Sequence, residues 1–164
     1  MAEDLTVVEG TRQDQYSSLL PQIKGLLEGE TDLVANLANV AAALKEQFGW
    51  LWTGFYLVKN DQLVLGPFQG PVACTRIRKG KGVCGTCWEK ASTIIVDDVE
   101  KFPGHIACSS LSKSEIVVPL IMGDNVMGVL DVDSEQYSQF DETDKHYLGE
   151  IVALLTGGSS IWPE

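Results

Sequence analysis

The chain has 164 residues, 45% of them hydrophobic and 21% charged, with 12 basic against 23 acidic side chains and a formal net charge of −11. A chain of that size and composition folds as a globular protein burying about 70% of its unfolded surface, without needing disulfide or metal staples. The excess of negative charge disfavours nucleic acid and anionic lipid as partners. No apolar run reaches the ~20 residues of a membrane span, and the start MAEDLTVVEG lacks the features of a secretory leader, so the expected compartment is the cytoplasm.

Along the chain, residues 13–28 and 31–47 carry apolar side chains at helical spacing: Tyr16, Leu19, Leu20 and Ile23, then Leu33, Leu37, Val40 and Leu44. Thr31 or Asp32 can cap the second helix through its side-chain oxygen. From Trp50 the period changes. Segments 51–59 (LWTGFYLVK) and 62–70 (QLVLGPFQG), joined at Asn60-Asp61, read as a β-hairpin. Cys74 to Lys90 is a glycine-bearing loop running into a short helix. Residues 92–99 (STIIVDDV) read as a strand, 101–113 (KFPGHIACSSLSK) as a long irregular segment, and 115–122 (EIVVPLIM) with 126–133 (VMGVLDVD) as a second hairpin. A last helix starts near Asp141, where acidic residues favour the positive end of the helix dipole, and the tail 156–164 is expected to fray. Helices at both ends around mostly antiparallel strands indicate an α+β fold, one sheet with helices packed mainly on one side.

The second hairpin carries the first chemical signal. In its two strands the even-numbered residues Ile116, Val118, Leu120, Met122, Val126, Leu130 and Val132 are apolar, with Gly128 among them, while Glu115, Asp131 and Asp133 fall at odd positions. Burying the even face puts the three acids together on the other, at one end of the hairpin, with Val117, Pro119, Met127 and Val129 beside them. Two readings fit: ordinary solvated acids, or a covered cluster that binds an ammonium group and donates a proton.

The cysteines, at 74, 84, 87 and 108, fall within a short stretch. Cys84, Cys87, His105 and Cys108 have the spacing of a Cys3His zinc site, although a core this large needs no structural ion. The Cys84-Gly-Thr-Cys87 pair could instead open a helix as a redox motif, but the strand-helix-strand setting of that motif is missing. As a third reading, both are small buried core residues. Cys108 reads as an exposed thiol in a loop whose amides could hold an oxyanion, with Cys74 a candidate second thiol.

GETDLVANLANVAAALK, WTGFYLV, LVLGPFQG, VACTRI, GKGVCGT, FPGHIACSSLSKSEIVVPL and GVLDVDS, in this order and spacing, resemble the free methionine-(R)-sulfoxide reductases, a family of stand-alone GAF domains. The resemblance runs from about Gly29 to Leu155 within a chain expected to be a single domain over 1–164. It implies an antiparallel sheet with helices mainly on one face and a ligand pocket on the other, in a homodimer. It also implies a catalytic thiol at Cys108, a recycling thiol at Cys74 that forms a disulfide with it, and a secondary thiol at Cys84. Glu115, Asp131 and Asp133 match the family's substrate-binding and catalytic acids, and the amides near Ala107 match those facing the sulfoxide oxygen. Trp52 and Tyr56, which pattern alone reads as core aromatics, match the positions holding the substrate's S-methyl group. Thioredoxin is the implied reductant, with no cofactor and no metal. Cys87 departs from the family pattern. A non-catalytic GAF ligand-binding module and a zinc-binding interaction domain are the rival readings.

Overall fold

A computed structural model describes residues 4–106, 108–157 and 162. Its centre is a six-stranded antiparallel sheet in the order β3-β2-β1-β6-β5-β4. Its elements, in chain order, are α1 (Arg12–Leu27), α2 (Leu33–Phe48), β1 (Trp52–Lys59), β2 (Gln62–Gln69), β3 (Arg76–Arg78), α3 (Gly82–Lys90), β4 (Ile94–Val96), β5 (Ser114–Met122), β6 (Asn125–Ser134) and α4 (Glu142–Thr156).

Local chemistry sets these boundaries. Thr11 and Asp14 form a capping box at the start of α1, and Asp141 with Asp144 forms another at α4. At α2 the cap is Asp32, one of the two residues the sequence offers for it, whose side chain accepts from the Ala35 amide, and the helix starts at Leu33, the first residue of the apolar spacing. Asn60 and Asp61 both take positive φ, at 49° and 67°, the conformation that a tight two-residue hairpin turn requires.

The sheet separates two apolar layers. On one face, α2 and α4 lie against the strands with α1 packed on both, and Tyr16, Leu37, Leu44, Leu148 and Ile151 meet Phe55, Ile116, Leu120, Leu130 and Val132. The other layer is smaller: α3 packs over Tyr56, Leu63, Val117 and Val129. The α+β architecture, with helices mainly on one face, is thus as the sequence indicates.

Buried polar groups tie the outer elements down. Asp144 accepts from Arg12 at 2.6 Å and from the Tyr16 hydroxyl at 2.7 Å, which joins α1 to α4 across 132 residues of chain. The side-chain amides of Gln22 and Gln47 pair with the backbone of Thr6 and Val8 and hold the N-terminal segment on the helices.

Four expectations change. The Cys74–Lys90 loop contains β3, an edge strand too short to leave a period in the sequence. The strand expected over 92–99 is only three residues long, because Asp98 turns to cap a 3-10 turn over Val99–Lys101. In the second hairpin the register slips by one between Leu120 and Ile121, making Met127 the extra residue of a bulge. Met127 therefore packs with the helix-side core and Val126 with the pocket side, the reverse of strict alternation. Gly128 sits at this bulge against the Tyr56 carbonyl, where a Cβ would lie 2.4 Å from the oxygen. Of the tail expected to fray, residues 158–161 and 163–164 lie outside the described residues. Trp162 is buried, and its Nε1 donates to the Leu155 carbonyl at 2.9 Å. Among the described residues no helix is long and apolar enough to cross a membrane.

Candidate active site

The registers of β1, β6 and β5 set three rows of side chains across the pocket face. Trp52 pairs with Asp133 and Asp133 with Glu115; Gly54 pairs with Asp131 and Asp131 with Val117; Tyr56 pairs with Val129 and Val129 with Pro119. Two strands separated in sequence thus bring Trp52 and Tyr56 beside the acids. Gly54 leaves the space that lets the Trp52 ring lie across β1, since a Cβ there would come within 2.7 Å of the ring and 2.3 Å of Phe68. Trp52 stacks on Phe68 and on Tyr56, with centroids 5.1 and 5.9 Å apart.

A cavity opens over these rows. Its floor is Trp52, Tyr56, Glu115, Asp131 and Asp133, and its walls include Cys84, His105, Cys108 and Ser112. Glu115 and Asp131 are buried and Asp133 is half-buried, so the reading of solvated surface acids does not hold. Burial pushes the Glu115 carboxyl well above the ordinary range, and the charges of Asp131 and Asp133 push it further. Asp133 is raised by burial and then by Asp131, against a 3.3 Å hydrogen bond from Ser112. Asp131 is also raised by burial, but hydrogen bonds from Glu115 and Cys84 oppose the rise. Its Oδ1 is buried without a partner among the described residues, an arrangement that favours a cationic donor in the cavity.

Over the mouth lies a disulfide between Cys74 and Cys108, with Cα atoms 5.7 Å apart. Cys108 is exposed and Cys74 half-buried. The bond occupies the Cys108 sulfur, so the four residues with zinc spacing do not form a closed site here. Cys84 and Cys87 are free thiols buried in α3. Burial, and then the charge of Asp131, raises both of their pKa values, opposite to the activation expected of a redox motif at a helix start. Cys87 points to the Val117 carbonyl and packs as a core residue, whereas Cys84 faces Glu115 and Asp131. Ala107 lies outside the described residues.

The aromatic pair also holds the loop that carries Cys74. Trp52 Nε1 donates to the Pro71 carbonyl at 3.0 Å and the Tyr56 hydroxyl to the Cys74 carbonyl at 2.8 Å. Sequence pattern holds no signal for either contact, because both partners are backbone atoms of a loop. Ser112 was equally hidden, visible only as a hydroxyl in the irregular segment, and His105, singled out in the sequence for its zinc-ligand spacing, lines the cavity wall instead.

The GAF domain family model matches residues 29–156. GAF domain-containing protein A of Dictyostelium discoideum is 65% identical over 156 residues, covering 94% of this chain and 99% of that protein. The free methionine-R-sulfoxide reductase of Escherichia coli is 45% identical over 141 residues, 85% of this chain and 86% of that protein. The structure of free methionine-R-sulfoxide reductase from Neisseria meningitidis, in complex with its substrate, superposes with a TM-score of 0.93 at 55% identity, over 96% of this chain and 95% of that one. With sequence and fold in agreement over nearly the whole domain, the chain belongs to the GAF domain family, and within it to the free methionine-R-sulfoxide reductases.

Proposed function

We propose that this protein reduces free L-methionine (R)-sulfoxide to methionine. The observation that carries the reading is the carboxylate trio, two of its members buried and one Asp131 oxygen without a partner among the described residues, lining one cavity with Cys108 of the Cys74–Cys108 disulfide. A peptide-bound methionine has no α-ammonium to offer that trio, so the site selects the free amino acid.

In the reduced enzyme the Cys108 thiolate attacks the sulfoxide sulfur while a carboxyl group protonates the sulfoxide oxygen. Oxygen passes to Cys108 as a sulfenic acid and methionine is released. Glu115 and Asp133, both held well above the ordinary carboxylate range by burial and mutual charge, suit the proton donor. Asp131, whose rise is opposed by hydrogen bonds, suits the ammonium partner. The Trp52 and Tyr56 rings face the S-methyl group, and the family resemblance assigns the oxygen to amides of the loop that carries Cys108. The Cys74 thiol then attacks the sulfenic sulfur, expelling water and forming the disulfide. Thioredoxin returns two electrons and two protons to it. Cys84 lies within reach of the acids as a secondary thiol. The family resemblance supports a homodimer of single GAF domains, each spanning 1–164, in the cytoplasm.

The test is turnover with a dithiol on resolved R and S epimers, free and peptide-bound. Free R epimer alone should be consumed, and Cys108→Ser should abolish the activity. Binding of the sulfoxide without turnover would leave a ligand-binding module instead.

A further inference from the structure

The carboxylate trio has a neighbour that the proposed reaction leaves unused. Cys84, in the first turn of α3, places its Sγ, one Glu115 oxygen and one Asp131 oxygen all within 4.8 Å of one another. Each of these residues is 6% exposed or less, and each lines the cavity. A substrate ammonium accounts for the carboxylates but not for the sulfur, because sulfur is a weak hydrogen-bond acceptor. The thiol can donate one bond to Asp131, yet Asp131 Oδ1 still has no partner among the described residues. Nor does a basic side chain neutralise the acids. Among the described residues the ion pairs are Arg12–Asp144 and His146–Glu150, so neither Glu115 nor Asp131 has a cationic partner there.

One soft sulfur beside two hard carboxylate oxygens is a donor set for zinc or cobalt(II) rather than for magnesium or calcium, which take about six to eight oxygens. Tetrahedral bonds to such an ion separate neighbouring donors by about 3.5 Å, so the three atoms need to close by little more than about 1 Å, within the reach of side-chain rotation. Three protein ligands leave a fourth position open to the cavity. This set differs from the Cys3His spacing read in the sequence, because it uses neither half-cystine and leaves the Cys74–Cys108 bond intact.

We propose that Cys84, Glu115 and Asp131 form a site for zinc or another thiophilic divalent cation, and that the bound ion inhibits the enzyme by occupying the place of the substrate's ammonium group. As the sulfur–metal bond forms, the Cys84 proton leaves to solvent, together with any proton on Glu115, and no oxidant or reductant takes part. The ion then engages the Asp131 carboxylate that would otherwise meet the α-ammonium, so metal and free amino acid exclude one another. Binding of the ion stands on the donor geometry alone, while its inhibitory effect rests on the ammonium reading above.

Cobalt(II) is the probe, added to the oxidised protein without a dithiol, so that Cys84 and Cys87 are the only free thiols. One equivalent should bind and give a thiolate-to-cobalt charge-transfer band in the near ultraviolet, which zinc should remove by displacement and magnesium should not. Cys84→Ser should abolish the band and Cys87→Ser should keep it. Asp131→Asn should weaken cobalt binding about 100-fold or more, beyond the loss of an outer-shell partner, and it keeps the test decisive where Cys84→Ser fails to fold. No band, a band that survives Cys84→Ser, or cobalt bound as tightly by Asp131→Asn overturns the site. Inhibition is read in Cys74→Ser with Cys108→Ser, which removes the other two thiols. There, zinc at about ten times its own Kd should raise the apparent Kd of free methionine sulfoxide about tenfold, and adding Cys84→Ser should abolish the effect. Sulfoxide bound equally well with and without zinc overturns the inhibition. Sulfoxide that binds under neither condition counts against the proposed function and leaves the cobalt result standing.

Discussion

The two faces of the β5–β6 hairpin are built from alternate residues of the same strands yet differ in what they contribute. Ile116, Val118, Leu120, Leu130 and Val132 face the helices and are almost wholly buried among other apolar side chains. One position away, Glu115, Asp131 and Asp133 face the cavity, where burial is unfavourable to each of them as a charged group. The first face stores folding free energy. The second draws on it to hold like charges together, as Glu115 and Asp133 are held directly opposite one another.

Substitutions on the two faces should therefore move different observables. On the helix side, Leu130→Ala should cost about 2–5 kcal/mol of stability by opening a cavity, seen as a lower midpoint in denaturant unfolding. On the pocket side, Asp131→Asn should weaken binding of the free sulfoxide by about 1.5–3 kcal/mol through loss of the charged hydrogen bond. Its melting temperature should hold or rise, because a buried charge is removed. A large loss of stability in Asp131→Asn would erase the contrast between the faces.

The pH dependence sharpens the same point. Glu115 has its folded pKa raised above the unfolded value, so the folded state holds its proton longer. That contribution to stability is fully present below the ordinary carboxylate range and is lost as pH rises toward the folded value. Glu115→Gln should consequently gain stability relative to the unsubstituted protein as pH increases, measured as a widening gap between their melting temperatures from acid to neutral pH. The smallest effect belongs to Tyr56→Phe, which keeps the ring stack on Trp52 but removes the hydroxyl that holds the Cys74 carbonyl. A loss of about 0.5–1.5 kcal/mol in ordering that loop should slow disulfide closure a few-fold, measured in single turnover as the rate of disulfide formation after methionine release.

Much of this arrangement is legible in the chain. The period-2 pattern from Ile116 to Val132 separates the acids from the core, and motifs such as FPGHIACSSLSKSEIVVPL and GVLDVDS carry the family. Less was legible where contacts depend on backbone atoms or on local slips. Met127 and Val126 exchange faces at a bulge that alternation cannot signal, and β3 is too short to announce itself. The Arg12–Tyr16–Asp144 cluster joins residues far apart in the chain and has no local spacing.

The cysteines divide the matter most clearly. Their positions alone allow a zinc ligand set, a redox helix or plain core packing, and the pairing of Cys74 with Cys108 came from family resemblance. Folding decides among these by burial: α3 takes Cys84 and Cys87 into the interior and raises their pKa values, while two loops bring Cys74 and Cys108 together above the acids. Periodicity specifies which face a side chain occupies, because that depends only on local backbone geometry. Which distant groups meet, and how far water is kept from them, depends on how the sheet and its loops close over one another, and this the tertiary structure alone decided.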